Sequence, residues 1–185
     1  DTGATGVLVP HVCTAEEAVD VARSARYGPG GRGYAGSTRA AGYGTKPMEV
    51  HKADSAARTV VVVQLEDAEA VAQAGQIAAT DGIDGIFIGP NDMSTSLGIP
   101  DDYSNKKYLR VIDDIIQRCE ARKIPVMVHQ QTIETSTKAI KFGARFVLHS
   151  SDGRMLQRMI QTEMNALRKV AGAGTSAQKD TVETV

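Results

Sequence analysis

Tryptophan is absent from this chain, aromatic residues make up 4% of it, and two cysteines occur in 185 residues. Each scarcity excludes something. Cys13 and Cys119 lie far apart with no CxxC or Cys/His spacing, so neither a disulfide framework nor a thiolate metal site is expected. No apolar N-terminal run resembles a signal peptide, and the expectation is a protein of the reducing cytoplasm. No stretch approaches the roughly 18 uninterrupted apolar residues of a membrane span, so no membrane partner is expected. Charge of one sign is also missing. With 21 Lys and Arg against 22 Asp and Glu, the net charge is −1, and a phosphate backbone would meet no broad basic field. Nucleic acid is not an expected partner.

What is present has the make-up of a globular domain, 42% hydrophobic and 23% charged. Five short apolar runs recur: "TGVLVPHV", "TVVVVQLE", "DGIFIG", "IPVMVH" and "ARFVLHS". Their continuous apolarity suits strands of a parallel sheet covered on both faces. Between them lie helical segments with clear punctuation. Thr14 and Glu17 form a capping box before a segment with Ala18, Val19, Ala22 and Ala25 on one face. Asp67 is placed to cap the next, with Ala68, Val71, Ala72, Gly75 and Ala79 on one side. Residues 105–123 put Leu109, Ile112, Ile115, Ile116 and Cys119 on a stripe, and the segment before Gly143 stops at a plausible C′ glycine. A last amphipathic helix runs through Met155, Leu156, Met159, Ile160, Met164 and Leu167.

Two segments break the rhythm. Residues 27–58 are Gly-rich and then polar, and read as a long excursion with a short helix near Pro47 to Ala56. Residues 171–185 have the composition of a disordered tail. Five β/α units without a Gly-x-Gly-x-x-Gly after a strand suggest a (β/α)8 TIM barrel. A full barrel takes about 250 residues. The expectation is therefore that residues 1–170 hold the last five β/α units and that three precede residue 1. A flavodoxin-like five-stranded sheet is the alternative.

In either fold the active site lies at the carboxyl ends of the strands. There the sequence puts His11, Gln64, Glu66, Asn91, Asp92, His129, Gln130, His149, Ser150, Ser151 and Asp152. Glu66 and Asp92, from adjacent strand ends and without clustered thiols, make a hard-oxygen pair suited to Mg²⁺ or Mn²⁺. Periodicity leaves another reading open, with Asp92 as the N-cap of "MSTSLG" and Glu66 as a first-turn dipole partner.

The residues also carry a likeness. "VVVQLEDAEAV" followed by "GIDGIFIGPNDMSTSLG" resembles the paired signature of the HpcH/HpaI aldolase family, where one strand ends Gln-x-Glu and the next Gly-Pro-x-Asp-Leu-Ser. "DTGATGVLVPHVCTAEEAVDVARSARYGPGGRGYAGS" is similar to that family's preceding unit, and the likeness runs to about residue 168. It implies a class II aldolase, a carbon–carbon lyase that cleaves or forms 4-hydroxy-2-oxo acids with pyruvate as nucleophilic half and an aldehyde as the other. Carried over, Glu66 and Asp92 would ligate a divalent metal, Mg²⁺ first, with Mn²⁺ or Co²⁺ as alternatives. Gln64 would orient a water or substrate oxygen beside it. The Asn91 and Asp92 amides would receive the pyruvate carboxylate, and Ser37 would lie near the aldehyde half. A homo-oligomer, trimer or hexamer, with the final helix against a neighbour, is implied as well.

Departures from the family pattern are visible. Its enolate-stabilising Arg and His-containing acid/base pair belong to strands before residue 1, and for Arg32, Arg39, His11 and His129 a structural reading is preferred over a substitute role. Asn91 stands where Ala is common and Met93 where Leu is usual, while "VLHSSDGRML" replaces a small, apolar Gly-Val-Asp segment. "LEDA" alone also resembles the citrate-lyase-β subgroup, which acts on acyl-CoA thioesters. A chain that binds a 2-oxo acid or a metal without turnover is the non-enzymatic alternative.

Overall fold

The computed structural model describes residues 1–141, 144 and 146–172. Gly143, expected to end the helix after the fourth strand, and the expected tail beyond residue 172 lie outside the described residues. The elements are β1 (Gly6–Val9), α1 (Ala15–Ala25), α2 (Met48–Arg58), β2 (Val60–Leu65), α3 (Ala68–Ala78), β3 (Gly85–Ile88), α4 (Pro90–Ser96), α5 (Lys106–Glu120), β4 (Val126–Gln130), α6 (Ile133–Lys141), β5 (Phe146–His149) and α7 (Asp152–Val170). Each apolar run picked out above is a strand.

The strands lie in the order β1-β2-β3-β4-β5, and β1 with β2, β2 with β3 and β3 with β4 pair in parallel. A flavodoxin-like sheet reverses its strand order part-way. This sheet does not, and that alternative is excluded. Unreversed strand order with helices between the strands is the arrangement of part of a β/α barrel.

The chain divides into two compact units, Asp1–Leu148 and His149–Val185. In the first, Val61, Val63 and Leu65 of β2 and Ile86 and Ile88 of β3 are buried among Ala70, Ala74, Ile77 and Ala78 of α3. Alanines on that face let the helix lie close to the sheet, and at Gly75 α3 meets α5, where an added Cβ would touch Arg118 Cβ at 3.7 Å, an ordinary contact. The α3 face is thus displaced from the expected one, with Ala72 and Ala79 exposed, because the helix packs on two partners. On α5 the buried residues are Tyr108, Ile115 and Cys119, and Leu109 is 52% exposed. On α1, Ala18 and Ala22 are buried and Val19 faces outward. In the second unit, Ser151 caps α7 by accepting from the Arg154 N–H, and the expected apolar stripe of Met155, Leu156, Met159, Ile160, Met164 and Leu167 is between 44% and 63% exposed.

Candidate active site

The site forms where β2 and β3 end. Side chains alternate along a strand, so Gln64 and Glu66 share the face opposite Leu65, which is in the core. The Gly89 N–H donates to the Leu65 carbonyl at 3.2 Å, tying the two strand ends together. Pro90 then occupies the first turn of α4, where its missing N–H costs nothing and its φ suits the helix. Asp92 therefore lies inside the first turn and is not the N-cap, a position held by Gly89. The Asn91 and Asp92 amides, as first-turn groups, have no intrahelical carbonyl to bond.

Glu66 is 2% exposed and reaches no lysine or arginine among the described residues. Its Oε1 accepts from the His11 backbone N–H at 2.9 Å and lies 3.2 Å from His11 Nδ1. Its Oε2 accepts from Gln64 Nε2. Burial raises the Glu66 pKa above its ordinary value. The Asp92 carboxyl, within hydrogen-bonding reach, adds to that rise, while the His11 and Gln64 contacts oppose it. Two carboxylates and Asp67 beside them thus gather negative charge, faced among the described residues by the exposed imidazole of His11. This donor set fits a divalent cation, which accepts one or two carboxylates and fills its remaining positions with water and substrate. No group of three or more His, Cys, Asp and Glu at metal-binding spacing occurs among the described residues, and a site of that kind does not call for one.

Several of these contacts were not foreseen. His11, read from sequence as topping a strand, stands over Glu66 with a side chain 67% exposed, and its pKa is raised by the hydrogen bond to Asp67 and by the Glu66 charge. Asp67 sits at the α3 N-cap but makes no capping bond there; Ser96 Oγ takes the Ala68 N–H instead, at 2.9 Å. A Cβ on Gly89 would come 2.6 Å from Gln64 Nε2 and 2.7 Å from Glu66 Oε2, so only glycine lets β3 close over the carboxylate. Tyr103 Oη lies 2.7 Å from Asn91 Oδ1 and 2.8 Å from Asp101 Oδ1, two acceptors that share its one proton. The "GP" dipeptide flagged the glycine, but nothing in "DDYSN" separated Tyr103 from any loop tyrosine.

Ser37 is not brought to this group. It is exposed on the excursion after α1, a segment held at Ala40 by a 3.2 Å bond to the Asp1 carbonyl, which places it near the strand starts. A cavity of about 350 Å³ lies there too, and four of its charged lining residues pair with one another, Arg32 with Asp1 at 2.7 Å and Lys46 with Asp54 at 2.6 Å. Arg32 also stacks on Tyr27 at 4.4 Å, in keeping with its structural reading.

The family model described as HpcH/HpaI aldolase/citrate lyase matches residues 1–158. The chain belongs to that family. Among curated family relatives, a 4-hydroxy-2-oxovalerate aldolase of Rhodococcus jostii (strain RHA1) is 39% identical over 91% of this chain and 64% of its own length. A 5-keto-4-deoxy-D-glucarate aldolase of Citrobacter koseri is 34% identical over 91% of this chain and 65% of its own. The chain thus spans slightly under two thirds of the length of these relatives. Among solved structures, a family protein from Burkholderia cenocepacia J2315 superposes with a TM-score of 0.84 at 27% identity, over 90% of this chain and 66% of that one. Glu66 and Asp92, the two acidic positions singled out in the sequence, stand against each other at the ends of β2 and β3.

Proposed function

We propose that the protein is a metal-dependent carbon–carbon lyase that cleaves or forms 4-hydroxy-2-oxo acids, with pyruvate as nucleophilic half and an aldehyde as partner. The observation that carries this reading is the buried Glu66 carboxylate set against Asp92 at adjacent strand ends, with no lysine or arginine paired to Glu66 among the described residues. Glu66 and Asp92 would hold the cation, Mg²⁺ before Mn²⁺ or Co²⁺. When bound, the cation supplies Lewis-acid stabilisation of the negative charge that develops on the keto oxygen.

The chain's own residues do the rest. The Asn91 and Asp92 amides, free of intrahelical partners, bind the pyruvate carboxylate. Gln64 holds Glu66 through Nε2, and its carbonyl oxygen is left to orient a water or a substrate oxygen. No lysine stands at these strand ends, in keeping with a reaction that needs no Schiff base. Ser37 would serve the aldehyde half only in an arrangement other than within its own chain. The proposal also includes a complete (β/α)8 barrel whose enolate-stabilising Arg and acid/base His lie on three units before residue 1, assembly into a homo-oligomeric trimer or hexamer, and a cytoplasmic location. No helix among the described residues is long and apolar enough to cross a membrane.

The "LEDA" segment supports a second reading within the same family, an acyl-CoA lyase of the citrate-lyase-β kind. Mass-spectrometric assay separates the two. Pyruvate released from a 4-hydroxy-2-oxo acid, dependent on Mg²⁺ and abolished by EDTA, supports the aldolase. Turnover of a malyl-CoA-type thioester in its place would overturn it.

A further inference from the structure

We propose that His11 is a positioning residue whose left-handed backbone turn, anchored by its ring to Asp67, aims the Glu66 carboxylate for cation binding. The inference rests on the metal reading above and adds a residue to it. His11 has φ +55°, a conformation uncommon outside glycine. Two bonds hold it here. The backbone N–H donates to Glu66 Oε1 at 2.9 Å, and ring Nδ1 lies 3.2 Å from Asp67 Oδ2. With an extended backbone at residue 11 the ring and the N–H would diverge, and one of these bonds would be lost.

The behaviour of Asp67 is the independent observation. It stands where an aspartate ordinarily caps a helix by accepting from a first-turn amide, yet its side chain makes no such bond. It turns to the His11 ring and to Cys13 Sγ, 3.5 Å away. The α3 N-terminus thus forgoes a stabilising cap, and the carboxylate released from that task fixes His11. Gln64 fixes the other Glu66 oxygen. The His11 backbone N–H, with ring Nδ1 3.2 Å away, holds Oε1 and Gln64 holds Oε2, so both oxygens of the carboxylate are fixed in place and keep lone pairs to offer a cation. Outer groups of this kind typically govern metal affinity about 10–100-fold.

The test is calorimetric titration of the whole chain with MnCl₂ alone, at fixed neutral pH, with circular dichroism to verify folding. His11→Val, whose β-branched side chain resists positive φ, is expected to weaken Mn²⁺ binding by about tenfold or more. His11→Asn tolerates the left-handed turn and offers an amide to Asp67, so its affinity should stay close to wild type. Asp67→Ala should weaken binding while leaving the residue 11 side chain in place. A purely structural role would lower Tm in these variants without moving the Kd. Wild-type affinity in a folded His11→Val overturns the proposal; if that variant does not fold, unchanged affinity in Asp67→Ala does so. Glu66→Gln is the control that keeps the two ideas apart. If it binds Mn²⁺ as wild type does, the metal reading itself fails; if it alone loses Mn²⁺, only the role of His11 falls.

Discussion

At the residue scale, Glu66 is a carboxyl held out of water, and in the proposed reading a bound cation supplies the opposing charge. Its pKa is raised by burial above the ordinary 4.5 that the unfolded chain keeps. Between that value and the raised one the folded state binds the extra proton, so stability falls as pH climbs through this window. His11 acts with the same sign. Its pKa is raised above 6.5, and the stabilisation its partners give is complete below that value and lost as pH rises through the folded value. The metal-free protein should therefore melt at a higher temperature near about pH 5 than near about pH 8. Replacing Glu66 with Gln should flatten that difference and raise Tm at neutral pH by a few degrees, about 1 kcal/mol being worth roughly 2–4 °C in a protein of this size. Scanning calorimetry in EDTA measures both. A lower Tm in the Gln variant would mean that the buried charge is already compensated. Gly89→Ala belongs to the same scale. Its Cβ would press on Gln64 and Glu66, so metal affinity should fall while far-ultraviolet dichroism is unchanged.

At the scale of elements, the contrast between two residues of α5 gives the sharpest check on the packing. Ile115 has no exposure and Leu109 is half out. Ile115→Ala should cost about 2–5 kcal/mol and Leu109→Ala about 0.5 kcal/mol or less, both read from urea unfolding. Equal losses would place the wrong face inward. Sequence had put both on one stripe, and the reason it misled is physical. Periodicity gives the width of an apolar face but not which neighbours the helix meets. The contact of α5 with α3 at Gly75 turns the Tyr108–Ile115–Cys119 line inward, just as α3, lying between sheet and helix, buries a face displaced from the predicted one. The Thr14–Glu17 capping box was read more securely because it is local, and it is present in both its bonds. Asp67 was misread because its cap gave way to a long-range bond, with His11, that no local pattern contains. The Gln64–Glu66 and Asp92 positions were legible through two ordered motifs, whereas His11, Gly89 and Tyr103 enter the site through tertiary contacts 12 to 55 residues apart in sequence.

On the scale of the whole molecule, α7 presents Leu156, Met159, Ile160 and Leu167 to solvent, each more than half exposed. Apolar rows of that extent mark association surfaces, and the proposed homo-oligomer would use this one. Analytical ultracentrifugation should find an assembly that the double variant Leu156→Asp and Met159→Asp dissociates; a wild-type monomer would remove α7 from that role. The central claim, that Glu66 and Asp92 are a cation site built for a 2-oxo acid, is tested most directly by calorimetry with Mn²⁺ and pyruvate on the wild-type chain, Glu66→Gln and Asp92→Asn. The account predicts one Mn²⁺ per wild-type chain, pyruvate binding only when Mn²⁺ is present, and loss of both in either variant. Stoichiometric Mn²⁺ binding that survives both substitutions, or pyruvate binding indifferent to the metal, would contradict it.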